Sequence, residues 1–129
     1  MLVVDASVAV AASRVDHGFR ALRGELVAPP LMWSEARSVL HRAVWSGALP
    51  RAQGEAALGR LEGCPVRRLT PARLGREAWR IADELGWAKT YDAEYVSLAS
   101  LLGCRLVTLD SRLRRAADRL GFVVSPTEL

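Results

Sequence analysis

At 129 residues the chain has room for a proper hydrophobic core, and a composition half hydrophobic and a quarter charged is that of a globular protein rather than a disordered or fibrous one. No stretch reaches the ~18–20 apolar residues of a membrane span, and the first residues lack the pattern of a signal peptide, so the expectation is one domain over residues 1–129, cytoplasmic and without a membrane partner. The net charge is +4, and every basic residue except Lys89 is Arg; guanidinium forks suit phosphate, but an Arg-favouring genome produces the same count, so charge alone leaves nucleic acid as an open option.

In chain order, Met1–Val4 reads as a short buried strand. Ser7 to about Arg14 has helical potential, which His17–Arg23 resumes after a break. Leu26–Ala28 reads as a second strand. "PPLMWSEARSVLHRAVWSG" is the clearest helix, with Pro in its first turn and Gly47 at its end. "LPRAQGEAALGRLEG" follows as a helix with Pro50 near its start, and "CPVRRL" as a strand. "TPARLGREAWRIADELG" predicts a helix with Thr70 as N-cap, Pro71 at the first helical position and Gly86 as the stop. "YDAEYVSLASLLG" is a helix ending at Gly103, "CRLVTLD" a strand, "SRLRRAADRLG" a helix and "FVVS" a last strand. Strands alternating with helices, the strands apolar without a period of two, point to an α/β fold: a three-layer α/β/α sandwich on a mainly parallel sheet covered on both faces.

Four carboxylates occupy positions that need a reason. "LVVD" and "LVTLD" are strands that end on Asp5 and Asp110, and working sites of open α/β sheets lie beyond the carboxyl ends of strands. On a helical wheel, Leu31, Met32, Ala36, Val39, Leu40 and Ala43 cover one arc, and Glu35 falls inside it. A carboxylate there is costly unless paired or bound to a cation; an ion pair with Arg42 is the bland solution. Asp92 stands in the first turn of its helix, where an acid also favours the helix dipole, and Asp5 and Asp110 are equally suited to capping the helices that follow them. As a set, acids without Cys or His ligands at their side suit a hard cation, Mg²⁺ or Mn²⁺, which activates water against a phosphodiester.

"LVVDAS", a helical "WSE", "TYDAEYVSLAS" and "LVTLD", in that order, resemble the PIN domain, and more narrowly the VapC-type toxin ribonucleases of toxin–antitoxin pairs. The resemblance runs over essentially the whole chain. It implies a Mg²⁺- or Mn²⁺-dependent endoribonuclease acting on an RNA substrate, with water as nucleophile. By position, Asp5, Glu35, Asp92 and Asp110 match the family's acidic metal-site residues, Ser7 the small hydroxyl residue after the first acid, and Thr108 the Thr two residues before the last. It further implies a homodimer and a cognate antitoxin that lays a helix in a groove of the toxin. Asp118 competes with Asp110 for the fourth place; Asp110 directly ends a strand, whereas Asp118 sits mid-helix beside Arg114, Arg115 and Arg119 as a surface ion-pair partner.

Arg112, closest to the proposed site in the run "SRLRRAADR", is the candidate for RNA phosphate, and Lys89 and Tyr91 flank Asp92 within reach of substrate. Trp79 is expected in the core. Trp33 and Trp45 fall on the more polar side of the Glu35 helix, where a partner patch and partial burial are both open. Cys64 and Cys104, far apart and in apolar surroundings, read as buried reduced thiols. The competing function class is a catalytically inactive PIN-like module that binds protein or RNA, against which the intact set of acids speaks. A nucleotide-binding protein lacks its glycine loop here, and an Asp-nucleophile phosphatase lacks its second Asp, because that position is Ser7.

Overall fold

Three apolar residues at the amino end, Leu2–Val4, are fully buried and form the central strand, β1, of the sheet. A computed structural model describes residues 1–129, the whole chain. β1 pairs in parallel with β2 (Leu26–Ala28) on one side and with β4 (Arg105–Val107) on the other. β3 (Val66–Arg68) and β5 (Val123–Val124) complete a five-stranded, all-parallel sheet of order β3-β2-β1-β4-β5. The expected sandwich is therefore present. The chain first winds outward from β1 through β2 to β3, then returns past β1 to β4 and β5. Right-handed crossovers put α1 (Ala6–Ser13), α2 (Leu31–Trp45) and α3 (Arg51–Glu62) on one face. They put α4 (Leu74–Leu85), α5 (Tyr91–Leu102) and α6 (Ser111–Ala116) on the other. Packing agrees: α1, α2 and α3 touch one another, α4 lies on α5, and α5 covers β1 and β4.

That reversal of direction leaves a crevice between the carboxyl ends of β1 and β4, the usual place for a site in such a sheet. Register then sets its contents. Val4 stands opposite Val107, so the next residues, Asp5 and Thr108, emerge side by side at the sheet edge.

The helices follow the sequence signals closely, with instructive exceptions. Gly86 and Gly103 end α4 and α5 in left-handed backbone, as their stop positions predict. Thr70, by contrast, caps nothing: residues 71–73 form a turn and α4 begins at Leu74 after Arg73. The helix expected over His17–Arg23 shrinks to one 3₁₀ turn, Gly18–Ala21, entered through His17 in left-handed backbone; a side chain at Gly18 would strike the Ala12 carbonyl. The last helix is likewise split into α6 and a 3₁₀ turn over Asp118–Leu120.

One tryptophan departs from expectation, and another takes one of its two open readings. Trp79 is 68% exposed, not in the core, because Leu74, Ala78, Ile81 and Ala82 supply the buried stripe of α4. Trp33 is buried rather than part of an open patch, its ring covered by the Arg68 guanidinium 4.4 Å from its centroid, while Trp45 on the same helix is 81% exposed. Val39, placed by the wheel within the apolar arc, is half exposed. Cys64 and Cys104 are free and only partly buried, with burial pushing both thiols up.

Candidate active site

Asp5 is the centre of the crevice. It is 4% exposed and ends β1 in extended backbone, so it is the N-cap of α1, accepting from the Val8 N–H at 3.1 Å. The capping reading of Asp5 is thus correct, yet it uses only part of the carboxylate. Ser7 Oγ donates to Asp5 Oδ1 at 2.6 Å, and Thr108 Oγ1 donates to Oδ2 at 2.5 Å. Both hydroxyls are themselves held: Ser7 Oγ accepts from the Leu109 N–H at 3.0 Å and Thr108 Oγ1 from the Asp110 N–H at 3.0 Å. These bonds stitch the end of β1 to the end of β4 and lock the Asp5 side chain. Burial still dominates and pushes the Asp5 carboxyl up, with the nearby Asp92 charge acting in the same direction.

Glu35 does not pair with Arg42. Its partner is Tyr95, whose hydroxyl donates to Oε1 at 2.5 Å. Tyr95 is 1% exposed, and Glu35 is its way of satisfying a phenol placed in an otherwise apolar helix stretch. Burial raises the Glu35 carboxyl, opposed by the Tyr95 bond and assisted by the charges of Asp92 and Asp5. Tyr95 is pushed far up in turn. Asp92, in the first turn of α5, is raised by burial and by Asp110, with Arg112 pulling the other way and no hydrogen bond opposing the shift. Asp110 caps α6, accepting from the Arg112 and Leu113 N–H groups at 2.9 and 3.3 Å.

Asp5, Glu35 and Asp92 are thus linked through their charges around one crevice, and the Asp110 charge acts on Asp92. None of Asp5, Glu35 and Asp92 has an Arg or Lys partner, although the chain carries 18 basic residues. Asp110 has only Arg112, at 4.0 Å. Asp118 behaves as the surface partner it was expected to be, bonded to Arg114 at 2.5 Å. As the side chains stand, no three His, Cys, Asp or Glu residues converge to ligating spacing. The donor chemistry, all carboxylate and hydroxyl oxygen, is that of a hard divalent cation.

Two residues of the cluster escaped the sequence reading. Tyr95 had a readable signal, a phenol amid "AEYVSLAS" that must find a partner. Glu94, raised by burial and by Glu35, had none, since an acid in a helix's first turn is ordinary. Beside the cluster opens a cleft of about 570 Å³, lined among others by Glu35, Asp92, Trp87, Lys89, Tyr91 and Arg112.

A PIN-domain family model matches residues 2–119. The chain is 40% identical over 115 residues to the ribonuclease VapC9 of Mycobacterium tuberculosis, spanning 88% of each protein. Its fold is similar to that of the crystal structure of PAE2754 from Pyrobaculum aerophilum, with a TM-score of 0.78 at 24% identity, covering 98% of this chain and 90% of that one. It is also similar to the M. tuberculosis sarcin-ricin-loop-cleaving toxin VapC20, with a TM-score of 0.63 at 19% identity, covering 95% of this chain and 97% of that one.

Proposed function

This chain belongs to the PIN-domain family, and from that premise we propose that it is a VapC-type endoribonuclease, the toxin of a toxin–antitoxin pair, dependent on Mg²⁺ or Mn²⁺. Its substrate is RNA, which puts its work in the cytoplasm. Its regulator is a cognate antitoxin protein, and its working form is a homodimer. The support comes from two sides: ribonuclease relatives at 40% identity over most of the chain, and a crevice of mutually repelling carboxylates at the switch point of the sheet.

In this reading Asp5, Glu35 and Asp92 hold the cation and Asp110 completes the set. The bound ion supplies the Lewis acidity that lets water act as a nucleophile near neutral pH and offsets charge on the departing oxygen. The protein's own contributions are positional. Ser7, Thr108 and the Val8 N–H fix Asp5 in one orientation. Tyr95 fixes Glu35 and favours its ionised form. Arg112, its side chain 83% exposed at the mouth of the crevice, meets phosphate. Water is the attacking group, so the chain needs no Ser or His nucleophile.

The observation that carries the reading is the set of carboxylates, Asp5 buried and Glu35 and Asp92 partly buried, left without cation partners in an Arg-rich protein. Leaving such charges buried and unpaired costs stability, and a bound divalent ion repays that cost. The test is cleavage of total cellular RNA by the purified, antitoxin-free protein in Mg²⁺, in Mn²⁺ and in EDTA, beside Asp5→Asn. Discrete fragments that require metal and vanish in the variant are the expected result. A folded wild type that binds no Mn²⁺ and cuts nothing would instead identify an inactive PIN-like binding module.

A further inference from the structure

At the opposite, amino edge of the sheet lies a second cavity, of about 610 Å³, whose chemistry has the other sign. Its lining contains two arginines and no Asp or Glu. Arg105 opens β4 and stands level with Leu2, the first residue of β1. Arg23 lies just before β2, on the other side of β1. The two residues therefore flank β1 from neighbouring strands, roughly 10 Å apart at the usual strand spacing. Neither takes part in an ion pair. The acids nearest to this lining in the chain are engaged elsewhere. Glu25, two residues after Arg23, is bonded to Arg67 at 2.7 Å, and Glu128, beside Leu129 of the lining, to Arg114 at 2.8 Å. Leu2, Leu22 and Pro126 give the cavity an apolar wall. The terminal groups of Met1 and Leu129 are of opposite sign, so the two guanidiniums set its net charge.

Two unpaired guanidinium forks beside an apolar wall match a guest with the same two parts. The forks bond oxyanions bidentately, and the wall takes an alkyl or aryl group out of water. We propose that this cavity binds a small phosphomonoester with an apolar or aromatic body, its phosphate held between Arg23 and Arg105 and its body laid against Leu22 and Pro126. A phosphomonoester near neutral pH carries close to two negative charges, which suits two cations better than the single charge of a carboxylate does. A cavity of about 610 Å³ falls in the size range of small-molecule sites. The site is separate from the carboxylate crevice. β1 runs between the two, with Leu2 at the cavity and Asp5 three residues on, roughly 10 Å along the strand. It uses none of the crevice residues, so it stands whether or not the chain cuts RNA.

The experiment is calorimetric titration of the metal-free protein, in EDTA, with benzyl phosphate, inorganic phosphate and benzyl alcohol in turn. Benzyl phosphate should bind saturably at one site, inorganic phosphate at least about tenfold more weakly because it leaves the apolar wall uncovered, and the alcohol not at all. Arg23→Gln and Arg105→Gln should each weaken benzyl phosphate by about ten- to hundredfold, as loss of one charge-assisted contact does. Both side chains are exposed, so the thermal midpoint of the unliganded variants should match wild type. Arg105→Lys keeps the charge without the fork and should fall between Arg105→Gln and wild type. Leu22→Ala should weaken benzyl phosphate and leave inorganic phosphate where it was. Arg112→Gln, at the far edge of the sheet, should bind like wild type. A folded wild type that binds none of the three compounds would overturn the proposal, as would inorganic phosphate binding as tightly as its benzyl ester. Arginine variants at 23 and 105 that bind normally, with the loss confined to Arg112→Gln, would move the phosphate to the crevice mouth and equally overturn it. So would an absence of benzyl phosphate binding together with RNA affinity, in an Asp5→Asn background, that falls in Arg23→Gln and Arg105→Gln; the edge would then be a polyanion surface.

Discussion

Two regions of this protein treat carboxylates in opposite ways. On the outer face of α4 and around α6, arginines gather the acids in pairs. Glu77 and Glu84 bracket Arg80, and Asp118 and Glu128 bracket Arg114. Arg80 holds the Glu77 carboxyl below the usual range, and Arg114 with the Ser125 N–H pulls Glu128 down to about 2. In the crevice between β1 and β4, Asp5, Glu35 and Asp92 are all raised, chiefly by burial, and have hydroxyls instead of guanidinium groups as partners or no partner at all. The same chain contains 18 cations and sends none to Asp5, Glu35 or Asp92. The contrast supports the proposed reading of the crevice as the seat of a divalent cation.

Breaking the crevice should have the largest effect. Asp5→Asn keeps the cap of α1, because an amide oxygen still accepts from Val8, but it removes a charge at the centre of the cluster. Metal-dependent RNA cleavage should fall by more than the ~100-fold upper range for losing a partner of a metal ligand, as read from fragment yield against time.

Tyr95→Phe comes next. It deletes one hydroxyl from Glu35 and leaves the ring in the core. Mn²⁺ affinity by calorimetry should drop roughly 10- to 100-fold with the fold intact by circular dichroism. An unchanged affinity would reduce Tyr95 to a packing residue.

The opposed shifts also separate by pH. A carboxylate raised in the folded state binds protons more readily there than in the unfolded chain, so metal-free stability falls as pH rises through the interval above the ordinary value, and grows as pH is lowered. Glu77 and Glu128, lowered when folded, stabilise above their ordinary value and lose that contribution only in more acidic solution. Just above the ordinary carboxylate value the crevice therefore dominates, and the metal-free thermal midpoint should rise as the pH is lowered toward that value. Mn²⁺ at about 100 times its Kd should add about 2.7 kcal/mol and reverse that trend at neutral pH. A midpoint indifferent to both would mean the acids are not coupled as described.

The smallest effect belongs to the surface. Arg114→Gln releases Asp118 and Glu128 but touches no acid of the crevice, so cleavage rate and Mn²⁺ affinity should match wild type.

The sequence was most informative where chemistry was local. The strand end on Asp5, the glycine stops of α4 and α5, and the order of elements were all legible, because each depends on neighbours a few residues away; the strand expected to end on Asp110 stops at Val107, so Thr108 takes the place beside Asp5 and Asp110 follows as the cap of α6. What was not legible depended on distance. Thr108, named through the family resemblance, reaches Asp5 across 103 residues, and Tyr95, which was missed, reaches Glu35 across 60, so which acid each hydroxyl holds follows from sheet register and helix packing. Trp79 left its expected place in the core, and Trp33 took the buried one of its two open readings, for the same reason. A wheel assigns a face to each ring, but Arg68 from β3 covers Trp33 and no element arrives over Trp79. Thr70 is suited to an N-cap by type and is displaced by a turn that delays α4 to Leu74.

The central claim, that the unpaired carboxylates form one divalent-cation site, is tested most directly by calorimetric titration of the metal-free protein with Mn²⁺, wild type beside Asp5→Asn. The account predicts saturable binding to wild type and its loss in a variant that still melts cooperatively. Equal binding by both proteins, or none by a folded wild type, would contradict it.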